Sequence, residues 1–150
     1  IMGAFQGERL VLSTMMNSVC RDVLEETLGY ITERKAFGQS IASMQVWRHR
    51  MADLLTELEA SETLTYRAAD QLVEGEVRGE VTVSMAKLYA AELIRRLVLD
   101  CAHAHGGYGF MLENYVARCS RGVQNWGIGA GTSEVMREII AKRSMPKVAR

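Results

Sequence analysis

Arg34-Lys-Ala-Phe-Gly-Gln-Ser-Ile-Ala-Ser-Met-Gln45 decides the fold. Long helical patterns run into this stretch from one side and out of it on the other. Gly38 at its centre marks the point where an antiparallel helical hairpin turns. Arg34 falls in the last turn of the incoming helix, where a cation suits the helix dipole and can reach an anion. Phe37 offers an apolar face beside the turn, and Gln45 an amide early in the next helix. By themselves these residues describe either a hairpin with a solvated arginine and a packed phenylalanine, or the rim of an anion site.

Outward from the turn, the incoming helix is expected from Glu8 to about Glu33. Leu12, Met16, Val19, Val23, Thr27 and Tyr30 recur there at spacings of three and four. Leu24, Leu28 and Ile31 widen the stripe, so the helix must pack on more than one side. Residues 1–7, with two glycines, read as an entry segment. The outgoing helix covers residues 41–74, with Ser40 as N-cap and Met51, Leu54, Leu55, Leu58, Leu64, Ala68 and Leu72 inward. A polar turn over residues 74–80 leads to a third helix from about Val81 to His105. Its inner face is Val83, Ala86, Ala90, Leu93, Ile94, Leu97, Val98 and Cys101. Glycines break the chain at His105-Gly-Gly-Tyr-Gly-Phe110. A shorter helix over 112–123, a glycine-rich loop over 124–131 and a last helix from Thr132 to about Lys142 complete the pattern. Period-two alternation is nowhere sustained. The expected fold is therefore all-α: an antiparallel up-and-down helical bundle, one domain over residues 1–150.

Composition narrows the function. The formal net charge is zero, which gives no general attraction to nucleic acid or an anionic membrane. No stretch is long and apolar enough to span a bilayer. Cys20, Cys101 and Cys119 lack metal-ligand spacing and favour a reducing compartment. His103 and His105 form a weak metal signal that no carboxylate or thiol completes, so no metal is expected.

Arg34, Phe37, Gly38 and Gln45 form an R-x-x-F-G-x(6)-Q pattern. It resembles the C-terminal helical domain of the flavin-dependent acyl-CoA dehydrogenases. Two further stretches match the same family in order. His103-Ala-His-Gly-Gly-Tyr-Gly-Phe110 resembles its Q-x-x-G-G-x-G-F/Y stretch, with His103 in place of glutamine. Ile128-Gly-Ala-Gly-Thr-Ser-Glu134 resembles the stretch around its Gly-Thr pair. The resemblance implies that Arg34, Phe37, Gln45, His103, Gly106 and Gly107 serve the FAD of a neighbouring subunit. It implies that Thr132 and Glu134 touch FAD or shape its pocket, although an acidic residue also suits a helix start.

Gly7-Glu-Arg-Leu10 resembles the start of the corresponding helix in the isovaleryl- and long-chain branches, which place the catalytic glutamate there. Glu8 falls on that position, with Arg9 beside it as a substrate-side residue. On chemistry alone, Glu8 is a first-turn glutamate stabilised by the helix dipole. Most other branches carry the base where this chain has Ala130, which cannot take a proton. Arg121 fits the arginine of a family R-D pair, but Gly122 replaces the aspartate. Trp126 fits an aromatic site near the active centre, or serves as a core anchor.

The implied reaction is FAD-dependent α,β-dehydrogenation of an acyl-CoA thioester to the trans-2-enoyl-CoA. Glu8 would remove the α proton and the flavin would take the β hydride. An acyl-CoA oxidase relative and a non-catalytic helical oligomerisation module are the alternatives. The implied partners are acyl-CoA, further copies of the chain in a dimer or tetramer, and electron-transferring flavoprotein. The implied location is the cytoplasm of a bacterium or the mitochondrial matrix of a eukaryote. The family's N-terminal helical and middle β domains do not fit into 150 residues. The bundle alone is expected to hold FAD poorly and to be inactive.

Overall fold

A computed structural model describes residues 2–76 and 78–146, with the backbone alone at residues 2–4. Three long helices dominate: α1 (Met2–Glu33), α2 (Gln45–Val73) and α3 (Gly79–Ala104). Two shorter ones follow, α4 (Tyr115–Trp126) and α5 (Ser133–Ser144). The all-α bundle is the fold expected from the three-four repeats.

α2 runs antiparallel to both long neighbours. Asn17 of α1 meets Thr65 of α2 and Leu10 packs near Ala68, while Arg50 and Glu57 of α2 pair with Asp100 and Arg96 of α3. α3 is the central element, touching all four other helices. Leu93, Ile94, Leu97, Val98 and Cys101 of α3 are buried against Met16, Val23, Leu24 and Ile31 of α1 and Met51, Leu54 and Leu58 of α2. Each such aliphatic side chain contributes roughly 1.5–3 kcal/mol by leaving water. Ala90 and Ala91, both fully buried, let neighbouring helices approach closely. A smaller patch of Ala68, Val83 and Ala86 closes the end near Leu10. Leu55 departs from the expected inner face and lies exposed. Between α1 and α2 the register is set by polar groups. Asn17 donates to Thr65 Oγ1 at 3.0 Å and accepts from Ser61 Oγ at 2.6 Å. A slip would leave these buried groups unpaired.

Several boundaries differ from expectation. Residues 2–7 belong to α1 rather than to an entry segment, so Glu8 sits in the second turn, not the first. The link from α1 to α2 is not a helical turn. Lys35–Ala36 (β1) pairs antiparallel with Gln39–Ser40 (β2), in register Lys35 to Ser40 and Ala36 to Gln39. Phe37 (φ 53°) and Gly38 (φ 80°) form the two-residue turn. Two consecutive positive φ angles give the twist a tight hairpin needs. Arg34 follows α1 instead of lying in its last turn, its amide bonded to the Tyr30 carbonyl at 2.9 Å. Ser40 Oγ donates to the Ile31 and Thr32 carbonyls, both at 2.9 Å, and stitches the ribbon to α1. The same oxygen accepts from Ala42 N and caps a 3-10 turn over Ile41–Ser43, after which α2 begins at Gln45.

α4 starts later than expected, at the Asn114 cap, and extends through Trp126 into what was read as loop. Thr132 caps α5, its hydroxyl accepting from Val135 N at 3.3 Å. Among the described residues no helix is long and apolar enough to cross a membrane.

Candidate functional site

The expected site residues gather near the two ends of α1, where Glu8 and Glu33 are about 37 Å apart at 1.5 Å rise per residue. At the C-terminal end, the ribbon, the start of α2 and the end of α3 enclose an open groove of about 690 Å³. Arg34, Phe37, His103, Gly106 and Gly107 all line it, with Tyr30 and Trp47. Arg34 is exposed, and no carboxylate of the described residues pairs with it. Phe37 is 96% exposed, so it is not the packed residue of a plain hairpin. His103 is exposed and meets the Trp47 ring edge-on at 5.7 Å. Gln45 stays on the rim, its amide nitrogen 3.4 Å from His49 Nε2 in the next turn of α2.

His105 forms the floor of this groove, where the sequence offered only a weak metal signal. It is 2% exposed and stacks on Tyr30 at 4.2 Å. Asn114 Nδ2 lies 3.1 Å from its Nδ1, and Thr27 Oγ1 lies 3.3 Å from its Nε2. The Asn114 oxygen already accepts from Ala117 N, so its amide donates to the ring. The network therefore assigns a neutral imidazole with its proton on Nε2, directed at Thr27. Burial pushes the His105 pKa down, with Glu26 opposing. Past this floor the chain turns through Gly106 (φ 60°), where a side chain would be strained. A methyl at Gly106 or Gly107 would meet nothing within 4 Å, so this backbone is open to a ligand. An unpaired guanidinium, an exposed aromatic ring and accessible glycine backbone suit a cofactor carrying phosphates and aromatic rings. FAD fits that description.

At the N-terminal end of α1, Arg9 Nε donates to the Ala130 carbonyl at 3.1 Å. Lys87 Nζ, from α3, donates to the next carbonyl, that of Gly131, at 2.7 Å. Between these cations the backbone is left-handed twice, at Ala130 (φ 54°) and Gly131 (φ 105°). Ser133 N closes the turn onto the Gly127 carbonyl at 3.1 Å. A methyl on Gly129 would touch Leu12 Cδ1 at 3.6 Å, so α1 leans on this turn. Glu8 precedes Leu12 by one helical turn and shares its face. It is exposed, and its carboxylate makes no ion pair among the described residues. Arg9, the residue after Glu8, and Ala130 thus meet at one end of the bundle.

Other expected residues have local roles. Thr132 is occupied as the α5 cap. Glu134 is exposed, and its carboxyl is held below the usual range first by its own backbone amide, then by Thr132 and Arg137. Trp126 is half-buried at the end of α4 and packs on the main core. Arg121 bonds the Phe110 carbonyl at 3.4 Å. Among the described residues no group of three His, Cys, Asp or Glu side chains is placed to hold a metal.

Lys87 was missed from sequence. Its side chain is fully buried, and its pKa is lowered by burial and by Arg9, with Glu134 and Glu92 opposing. The available signal was a cation inside the apolar repeat, one residue after Ala86 and three before Ala90.

A family model for the C-terminal domain of acyl-CoA dehydrogenase matches residues 1–145. Long-chain specific acyl-CoA dehydrogenase, mitochondrial, of Rattus norvegicus is 33% identical over 143 residues, which cover 95% of this chain and 33% of that protein. The CarC subunit of the caffeyl-CoA reductase-Etf complex of Acetobacterium woodii is 34% identical over 139 residues, covering 93% and 36%. The crystal structure of an acyl-CoA dehydrogenase from Geobacillus kaustophilus superposes with a TM-score of 0.91 at 32% identity, covering 95% of this chain and 37% of that one. The chain thus spans about a third of the length of these relatives.

Proposed function

The chain belongs to the acyl-CoA dehydrogenase family, as its C-terminal helical domain, and we propose that it supplies the catalytic base and one wall of the cofactor groove for oxidation of an acyl-CoA thioester to the trans-2-enoyl-CoA. Residues 1–150 act as that domain beside an N-terminal helical domain and a middle β domain. The observation that carries the reading is the Arg9 to Ala130 hydrogen bond. It ties the residue after Glu8 to Ala130, which supports reading both family base positions at one end of the bundle, and only Glu8 of the two can take a proton.

In this reading the Glu8 carboxylate accepts the proton from the α carbon of the thioester. FAD, when bound, supplies the acceptor for the β hydride. Arg34 offers a charge-assisted donor to a phosphate. Gly106 and Gly107 allow close backbone approach, Phe37 offers an apolar ring, and Gln45 and His103 stand at the rim. Thr132 and Glu134 act through the shape of the α5 start. Arg9 and Trp126 border the acyl side. The groove and Glu8 lie at opposite ends of α1, which supports the reading that the groove serves the flavin of a neighbouring copy in a dimer or tetramer. Electron-transferring flavoprotein is the proposed acceptor. The proposed location is a bacterial cytoplasm or a mitochondrial matrix. Placement in the isovaleryl- and long-chain-like branch rests on Glu8 and Ala130.

A second direction of the reaction has its own support. Identity to a caffeyl-CoA reductase subunit, 34% over 139 residues, is close to that to the long-chain dehydrogenase, 33% over 143. Run in reverse, protonated Glu8 would deliver the proton to the α carbon of an enoyl-CoA.

The test is Glu8→Gln in the full-length flavoprotein, read by anaerobic flavin reduction with acyl-CoA. The expected rate loss is about a hundredfold to ten-thousandfold, with flavin content unchanged. Reduction at the wild-type rate would remove Glu8 as the base.

A further inference from the structure

A fully buried lysine needs an explanation, because an ammonium away from water is costly unless its hydrogens are used. Lys87 pairs with no carboxylate among the described residues; its one hydrogen bond there goes to the Gly131 carbonyl, at 2.7 Å. That carbonyl ends a strained turn. Ala130 and Gly131 are both left-handed, and the first carries a side chain. Such backbone persists only where its surroundings over-determine it. Two cations do so here, Arg9 reaching from α1 and Lys87 from α3. Leu12, on the face of α1 that carries Glu8, lies beside Gly129, within 3.6 Å of where a methyl there would sit.

We infer that Lys87 is a positioning residue for Glu8: by fixing the Gly131 carbonyl from inside the bundle, it holds the turn on which the Glu8 segment of α1 rests. This builds on the reading of Glu8 as the base. Without the ammonium the Gly131 carbonyl is free to rotate. Ala130 then relaxes, the Arg9 contact loosens, and Glu8 loses its fixed approach to the α carbon. The reaction is sensitive to this, since small misplacements of a reacting group have large effects on rate.

The experiment compares Lys87→Met and Gly131→Ala in the full-length flavoprotein. Methionine keeps the buried stem and removes only the charge and donor. Gly131→Ala disturbs the same joint from the other side, since its methyl would press on Met136 Cε at 3.0 Å and φ +105° disfavours it. Amide hydrogen exchange over residues 127–133 reports the turn, and flavin reduction across acyl-CoA concentrations reports the chemistry. Both variants are expected to exchange the Ser133 amide about tenfold faster. Both should lower the saturating reduction rate by about tenfold or more. The half-saturating acyl-CoA concentration and the flavin content should stay at wild-type values. The double variant should be no slower than the slower single one, because both act on one joint. Unchanged exchange in the turn overturns the proposal. So does a loosened turn with a wild-type saturating rate, or a loss confined to half-saturation. Should Lys87→Met fail to fold, Gly131→Ala alone decides by the same criteria. If Glu8→Gln reduces flavin normally, the base assignment falls, and with it the role of Lys87 in catalysis. The exchange result then judges the turn separately.

Discussion

Arg9 Nε and the Ala130 carbonyl, 121 residues apart in the chain, meet at 3.1 Å. The contact fastens the second turn of α1 to a backbone segment that would otherwise relax out of its left-handed conformation. Arg9→Met keeps much of the side chain's packing and removes this donor. The expected cost is about 1.5–3 kcal/mol, the range for hydrogen bonds to charged groups. A urea unfolding series with an unchanged slope and a lower midpoint would show it.

Phe37 combines two unfavourable features, a positive φ and 96% exposure. Strain of this kind clusters at functional sites. Asparagine suits the first position of such a turn far better, with Gly38 already in the second. Phe37→Asn is therefore expected to stabilise the chain by about 0.5–1 kcal/mol. In the full-length protein the same change should weaken flavin retention, measured by flavin absorbance after gel filtration. Gain of stability without loss of flavin would leave the phenylalanine unexplained.

His105 gives the fold a dependence on pH. Its folded-state pKa lies below the ordinary value of 6.5, because the ring is buried. The unfolded chain therefore takes up this proton first as pH falls. The contribution is intact above about pH 6.5 and is lost as pH drops through the folded value. Unfolding midpoints should decline as pH falls below about 6.5. His105→Phe keeps a ring against Tyr30 but takes the acceptor from the Asn114 amide, while the Thr27 hydroxyl keeps only its bond to the Val23 carbonyl. That variant should be less stable by about 1–3 kcal/mol at neutral pH, with a flatter profile across the same window.

Gly109 is buried next to His105, and a methyl there would drive into the Ala102 carbonyl, with His105 Cβ at 3.0 Å. Backbone cannot give way as a side-chain tip can. Gly109→Ala is expected to destabilise by about 3 kcal/mol, and thermal melts followed by circular dichroism would register it. Gly107→Ala, with nothing within 4 Å of its added methyl, serves as the control.

The long helices were legible because their signal is long. Met16, Val23, Leu24 and Ile31 repeat over many turns, and one exposed member such as Leu55 does not erase the period. The ribbon was not legible, because two residues per strand have no period to detect. Its turn rests on a phenylalanine at positive φ, which side-chain preference argues against. The motif residues around Arg34 and His103 were readable as a set, and the fold brings them to one groove. The buried network of His105 was not readable because its partners, Thr27 and Asn114, lie 78 and 9 residues away. Lys87 escaped notice for the same reason, since the carbonyl that explains it is 44 residues downstream. Glu8 was placed in a first turn because the two glycines before it look like a break, yet both are accommodated in α1.

The length of α1 makes its two ends separable by genetics. A chain carrying Glu8→Gln keeps a sound groove, and a chain carrying Arg34→Ala keeps a sound base. If one site is assembled from the Glu8 end of one copy and the groove of another, each variant alone is impaired at every site. Co-expressed, the two would form hybrids in which one site inherits both intact halves while its counterpart inherits both lesions. Complementation between two damaged alleles would then arise from a single helix about 37 Å long between its two working ends.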